Sequence, residues 1–278
     1  MITCNLMGGL GNQLFQIFAT IAYAIQCKQR FAFLKVDTLG EGATTIRPTY
    51  WNTLLSNMKP FLINELPSDM YILREKGFPY EELPFLNEPD ILLFGYFQSY
   101  RYFQEKYAVI YKMLGLEKKK ETLLDTLGLS KEMLTHTISM HFRIGDYKKI
   151  QHVHPLTTYE YYERALIYMQ DKEPGISFTI YYFCEDVDID DVLPTLRKLE
   201  TAFPLFSFER GTKELTDWEQ LLFMSSCHHN IIANSSFSWW AAYMNSWEDK
   251  RVFYPEVWFG PAANHDVKDL CPSTFSTF

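Results

Sequence analysis

The stretch HFRIGDY at 141–147 places an arginine and an aspartate around a glycine at the end of an apolar run. Alternation along TISMHFR (137–143) sets His141 and Arg143 on one side of a strand, and Gly145 with Asp146 supplies a turn. A guanidinium keeps its charge and offers a planar fork that grips phosphate bidentately. At the end of a buried strand it therefore asks for an anionic partner. That partner is either a ligand or Asp146 itself, in an ion pair that ties the turn.

Two other stretches collect hydrogen-bond donors. In GGLGNQLFQ (8–16), Gly8, Gly9, Leu10 and Gly11 separate a short apolar run from an amphipathic one. Glycines let the backbone approach a ligand closely, and free N–H groups at a helix N-terminus favour an anion. This is not a phosphate-binding Walker loop, because no GK[ST] follows, and Leu14 occupies the last glycine position of GxGxxG. Asn12 can cap a helix, or with Gln13 it can hold sugar hydroxyls or phosphate oxygens. In ANSSFSWWAAYMN (233–245), Asn234, Ser235 and Ser236 stand where a strand is expected to run into a helix, at the positive end of its dipole.

Other polar groups give weaker signals. Asp186, Asp188, Asp190 and Asp191 contain DxD spacings that could hold a divalent cation, but acidic residues opening a helix serve its dipole. His152 with His154, and His228 with His229, lack a companion set at a metal-binding spacing. No metal is expected.

The elements that must position these residues follow from periodicity. Residues 2–7 read as a strand, and from Asn12 the positions Leu14, Phe15, Phe18, Ala22 and Ile25 recur at helical spacing. FAFLKV (31–36) and ILLF (91–94) read as strands, with short helices and connections between 40 and 90 and a helix up to about Met113. The lysine run at 118–120 and the polar stretch up to about 130 suggest a hinge. Beyond it, strands at 137–143, 178–184, 204–208 and 230–233 alternate with helices, among them one over 213–227 and one whose Thr157 and Glu160 are spaced as a capping box. Such alternation predicts α/β architecture with a parallel sheet covered on both faces, in two halves, 1–130 and 131–278. Ligands of such sheets bind at the carboxyl ends of the strands, where all three donor-rich stretches fall.

Composition narrows the class further. The 278 residues are 47% hydrophobic and 22% charged, as expected for a globular protein, and aromatics reach 17%. A net charge of -8 argues against nucleic acid or anionic membrane as partner. The five cysteines form no CxxC pair, so reduced thiols are expected. Without a membrane-length apolar run or a signal-peptide pattern, the expected location is cytoplasmic.

GGLGNQLFQ, HFRIGDY and NSSFSWWAAY, with GYFQSYRYF (95–103) and the His154-Pro155-Leu spacing ahead of Tyr161-Tyr162, together resemble the alpha-1,2-fucosyltransferases of glycosyltransferase family 11. The resemblance runs from residue 8 to about 245. It implies a GT-B-like fold of two Rossmann-like α/β halves facing a central cleft, with the acceptor on the first half and the donor on the second. It also implies GDP-L-fucose as donor, no metal or cofactor, and inverting transfer to a 2-hydroxyl of an acceptor oligosaccharide, commonly on galactose. Carried across, Arg143 would bind the diphosphate, His141 would lie near the nucleotide, and Asn234, Ser235, Ser236 and Phe237 would line the phosphate and sugar pocket. Gly9, Gly11, Asn12 and Gln13 would face the fucose, His229 the guanine, and Gln98 and His154 the acceptor. Asp146 is then the candidate general base, or it orients Arg143. One departure stands out: the family often carries HxRRGDY, and here position 144 is Ile, which alternation points into the sheet packing. Arg143 then acts alone or with Lys148 or Lys149. Two other readings fit the residues less well, a transferase using the DxD cluster with a metal and a non-catalytic carbohydrate-binding protein.

Overall fold

In the computed structural model, residues 1–40, 45–211, 214–263 and 265–278 are described. The chain divides into two compact units, Met1–Lys119 with His265–Pro272, and Lys120–Asn264 with Ser273–Phe278. The division therefore falls at Lys119 rather than at 130. A C-terminal segment that nothing in the sequence set apart belongs to the first unit.

The first unit opens with β1 (Ile2–Cys4) and α1 (Leu10–Cys27), followed by β2 (Phe33–Leu34), β3 (Thr38–Leu39), β4 (Arg47–Pro48), β5 (Leu62–Ile63), β6 (Tyr71–Arg74) and β7 (Ile91–Phe94). Its main sheet is parallel in the order β1-β7-β6, β2 pairs with β5, and β3 with β4. The strand expected over 31–36 shrinks to two residues of ladder, with Phe31 making only a bridge to Ile2. Helix α1 is buried on nearly every side from Leu10 to Ala24, so its apolar positions form more than one stripe. Phe18 packs on Phe103 and Tyr107 at ring separations of 5.4 and 5.8 Å. Lys28, in the left-handed region at φ 54°, ends the helix by donating to Ala24 and Ile25 carbonyls.

The unit continues through α2 (Tyr107–Leu114) into α3 (Leu116–Leu127), within which the division falls. The C-terminal segment is tied to the unit through Asp269. Its carboxylate accepts from the Arg101 guanidinium at 2.8 Å and the Tyr80 N–H at 3.2 Å, and its carbonyl accepts from the Ser99 hydroxyl at 2.6 Å.

The second unit comprises β8 (Thr137–His141), α4 (Tyr159–Lys172), β9 (Thr179–Phe183), α5 (Ile189–Ala202), β10 (Ser207–Arg210), α6 (Asp217–Ser226), β11 (His229–Ile231), α7 (Ser236–Met244), β12 (Val252–Tyr254) and β13 (Phe275–Thr277). Helix α6 begins at Asp217, and Lys213, where the expected helix starts, lies outside the described residues. The sheet is parallel throughout, in the order β10-β9-β8-β11-β12-β13. From β8 the chain winds outward through β9 and β10, then returns to the other side of β8 with β11. This is the doubly wound dinucleotide-fold order, and its switch point lies between β8 and β11. Every residue of β8 is buried, as a central strand covered on both faces requires. The capping box expected at Thr157 and Glu160 does not form: α4 starts one residue later, behind Thr158, and the Thr157 hydroxyl instead lies 2.6 Å from that of Tyr162. A capping box does form at Thr216 and Glu219.

The first turn also distinguishes its glycines. Gly8 has φ +76°, and a Cβ there would lie 2.5 Å from the Asn12 amide nitrogen, whereas a Cβ on Gly9 would meet nothing within 4 Å. Gly8→Ala is therefore expected to lower stability by about 1–3 kcal/mol and Gly9→Ala by less than about 1 kcal/mol, a contrast that thermal unfolding of the two variants measures.

Candidate active site

Strand β8 ends at His141, and the turn behind it carries Arg143. The guanidinium pairs through Nη2 with Asp146 Oδ1 at 2.5 Å and through Nη1 with the Glu185 carboxylate, and its Cζ lies 5.1 Å from the centre of the Tyr147 ring. Burial opposes its charge, but the two carboxylates outweigh burial and push its pKa upward. The two contacts use one N–H on each terminal nitrogen, and a guanidinium has five. Donors therefore remain for an anion. Gly145, at φ +32°, donates its N–H to the buried Asp188 carboxylate at 2.7 Å, which fixes the turn to the start of α5.

The same edge of the sheet holds the start of α7. Ser235 caps that helix and accepts from the Phe237 N–H at 3.3 Å, and Ser236 opens its first turn. The Tyr147 hydroxyl donates to the Asn234 carbonyl at 3.2 Å, which joins the arginine turn to the helix start. The His141 ring lies 5.6 Å from that of Phe237. Its Nδ1 is buried without a hydrogen bond, and burial, aided by Arg143, lowers its pKa to about 3. The imidazole is thus neutral in the physiological range. The Tyr162 hydroxyl donates to the His141 carbonyl at 2.9 Å and anchors the end of the strand. His141, Arg143, Ser235, Ser236 and Phe237 are thus brought together at the switch point. Asn234 is adjacent, but its amide faces inward, donating to the Pro155 and Trp258 carbonyls at 2.9 and 3.0 Å. His154 stacks on Tyr147 at 4.6 Å, so it stands behind the arginine turn.

Glu185, Asp188 and Tyr147 are the members of this set that the sequence reading missed. The acidic run was visible, but its dipole role was only part of the explanation. Asp186 pairs with Arg210, and Lys148 pairs with Asp188 at 3.4 Å and with Asp191. Lys148 is thereby committed to carboxylates and does not reinforce Arg143, as had been one expectation. Ile144 packs against the apolar core, as alternation requires. Among the described residues, no group of three or more His, Cys, Asp or Glu side chains is arranged to hold a metal ion.

His229 departs from its expected place. It opens β11 and pairs across the sheet with Ile138, while Asn234 to Ser236 follow the strand's other end. The ring accepts from the Arg251 N–H at 3.0 Å and stacks on His228 at 3.9 Å. It is therefore a buried core residue at the amino edge of the sheet, away from the arginine turn.

In the first unit, the glycine turn leads into α1 at the carboxyl edge of the β1-β7-β6 sheet. Gly9, not Asn12, is the N-cap residue, and Gly11 is a buried residue of the helix. Released from capping, Asn12 accepts at Oδ1 from the Gln98 amide at 2.8 Å, which pairs the glycine motif with the segment after β7. Gln13 is fully buried and donates to the Gly8 and Pro48 carbonyls at 3.0 and 2.9 Å. It braces the turn and does not face a ligand. Beside them, directly after β6, Glu75 accepts at Oε2 from the Tyr96 and Phe97 N–H groups at 2.8 and 3.1 Å.

The sequence comparison decides what this machinery belongs to. The glycosyl transferase family 11 profile matches residues 1–255. The chain belongs to glycosyl transferase family 11. As a family 11 glycosyltransferase, it is 25% identical to the O-antigen biosynthesis glycosyltransferase WbnK of Escherichia coli over 96% of this chain and 97% of that one. It is 26% identical to an alpha-1,2-colitosyltransferase of Escherichia coli over 93% and 92% of the two chains. With a galactoside 2-alpha-L-fucosyltransferase of Caenorhabditis elegans it shares 24% identity over 92% and 72%. Among solved structures, POFUT1 in complex with GDP aligns at a TM-score of 0.47 and 11% identity, covering 89% of this chain and 95% of that one. No helix among the described residues is long and apolar enough to cross a membrane.

The buried histidines of this glycosyltransferase set its response to acid. Burial lowers the pKa of both His141 and His229 to about 3, with Arg143 adding to the effect at the first and His228 at the second. The unfolded chain takes up protons near pH 6.5 while these two sites stay neutral in the folded protein, so stability falls as pH drops below that value. Each site is expected to cost about 2 kcal/mol by a pH of roughly 5. Denaturant unfolding across this range checks the slope, and His229→Asn should reduce it by about half.

Proposed function

We propose that the enzyme transfers L-fucose from GDP-fucose to a 2-hydroxyl of an acceptor sugar, galactose in the first instance, with inversion and without a metal. The observation that carries this reading is the convergence of Arg143 and the Ser235-capped start of α7 at the switch point of the six-stranded sheet. Cleavage of the sugar–phosphate bond leaves negative charge on the departing diphosphate. A fixed guanidinium and helix-terminal N–H groups stabilise that charge, and preorganised contacts of this kind are each worth about 3–4 kcal/mol of barrier. A divalent cation plays that part elsewhere, and here Asp186 is engaged by Arg210, Asp188 by Lys148 and the Gly145 N–H, and Asp191 by Lys148. The neutral His141 ring and Phe237 would lie beside the nucleotide.

The acceptor hydroxyl attacks the anomeric carbon from the face opposite the diphosphate, which inverts the configuration there. Asp146 supports this reaction as the group that orients Arg143, since one of its oxygens is held by that guanidinium. Asn12 and Gln98 present amide groups at the carboxyl edge of the first unit's sheet, suited to sugar hydroxyls.

The relative named an alpha-1,2-colitosyltransferase supports a second reading of the donor. Colitose is fucose without its 3-hydroxyl, so the same nucleotide machinery would serve. A thermal-shift panel of GDP, UDP and CMP, each with and without EDTA, tests the nucleotide, and turnover on GDP-fucose against GDP-colitose tests the sugar. Stabilisation is expected with GDP, unchanged by EDTA, and Arg143→Ala should weaken GDP binding by about tenfold or more. Stabilisation by UDP alone would overturn the donor assignment.

A further inference from the structure

The two ends of α7 are closed by different means. Ser235 caps the opening turn, but behind Met244 the chain leaves through Asn245 in an extended conformation, not in the left-handed turn that often ends a helix. Two lysines take the carbonyls there. The Lys250 ammonium donates to the Ala242 and Asn245 carbonyls at 2.9 and 2.6 Å, and the Lys120 ammonium donates to the Met244 carbonyl at 3.4 Å. Lys120 comes from the lysine run whose polarity suggested a hinge, yet it is only 5% exposed. The Asn245 amide fastens the same end to the core, donating to the Cys227 and His228 carbonyls and to Asn230 Oδ1.

Capping alone would not require charge, because a neutral amine also donates. Among the described residues no carboxylate pairs with Lys250. Of its neighbours in the chain, Asp249 lies 2.9 Å from the His228 ring nitrogen and Arg251 faces Glu173 at 3.6 Å. The charged group that acts on Lys250 from a packed element is Lys120 of α3, which repels it. Two like charges are therefore kept together at the closing turn of a helix whose opening turn lies at the switch point of the sheet. Cations at a helix C-terminus offset the negative end of its dipole, so the positive end acts with less opposition. The nine residues of α7 span about 13 Å, a distance over which a unit charge still acts at an effective dielectric of roughly 20. The arginine turn itself offers one guanidinium, since Lys148 is committed to Asp188 and Asp191.

We propose that Lys250, together with Lys120, strengthens donor binding at long range: their charges behind α7 raise the positive potential at its opening turn, where the donor reading puts the diphosphate. The inference rests on that reading and concerns the second unit alone. Neither lysine touches the nucleotide, and both act through the helix.

Burial and Lys120 lower the pKa of Lys250 to about 8, so pH alone can remove its charge. The neutral amine keeps two N–H groups for the two carbonyls, which separates charge from capping. Measured by calorimetry on the full chain, GDP affinity should weaken about fivefold between about pH 7 and about pH 9. Lys250→Arg, which stays charged, should hold its affinity better over the range, and the comparison cancels any titration of GDP itself. Lys250→Met should bind GDP about fivefold more weakly than the wild type at about pH 7. A wild-type profile that follows Lys250→Arg throughout overturns the proposal, as does Lys250→Met binding within about twofold of wild type at neutral pH.

Stability supplies the second readout. Folding lowers this pKa, so the unfolded chain holds the extra proton and the wild type should gain stability relative to Lys250→Arg as pH rises. A relative loss would mean that discharge loosens α7 itself, which overturns the long-range role. Should one variant not fold, the other decides together with the wild-type profile. A wild type that does not bind GDP at neutral pH sinks the donor reading and this inference with it, whereas binding that ignores the charge of Lys250 sinks the inference alone.

Discussion

A permanently charged group at the end of a fully buried parallel strand must have its charge balanced locally, and the second unit is organised around that requirement. Burial alone would disfavour the guanidinium of Arg143. Asp146 comes from the turn itself and Glu185 from the segment after β9, so the balance depends on two neighbouring strands ending at the same level. Asp188 in turn fixes the Gly145 N–H. The turn is thereby set in advance, and on the proposed reading an incoming diphosphate would meet an oriented cation instead of one it must order.

The doubly wound half was the more legible of the two. Its strands and helices alternate with clear periods, and each donor-rich stretch was placed at the correct end of its strand because a strand-to-helix junction is a local signal. What periodicity could not supply was the strand order, and with it the partners that come from other strands. Glu185 looked like one more residue of an acidic run, and only the adjacency of β8 and β9 brings it to Arg143. His229 was misjudged for a related reason. A three-residue strand has two ends close together in sequence, and one belongs to the core while the other belongs to the site.

The first half was harder because its ladders are short. Two-residue pairings such as β2 with β5 leave no alternation to read. The glycine turn was recognised, but its inner workings were not: Gln13 braces it from within, and the Gln16 amide holds the Met7 backbone by both donating and accepting, at 3.0 and 2.8 Å. Gln13 reads as a ligand contact in a linear sequence because nothing there tells a buried glutamine from an exposed one. Glu75 gave no sequence signal at all, since its cradle is formed by a segment that becomes its neighbour only through the β6–β7 pairing.

The closing segment of the chain serves both units in turn. Residues 265–272 fasten to Ser99, Arg101 and Tyr80 of the first, and β13 then completes the sheet of the second. Neither half is therefore a contiguous stretch of polypeptide. Cutting the protein at residue 119 to express the halves separately would strip the first unit of residues 265–272 and leave that segment unpartnered on the second fragment, and a deletion of the last dozen or so residues would injure both.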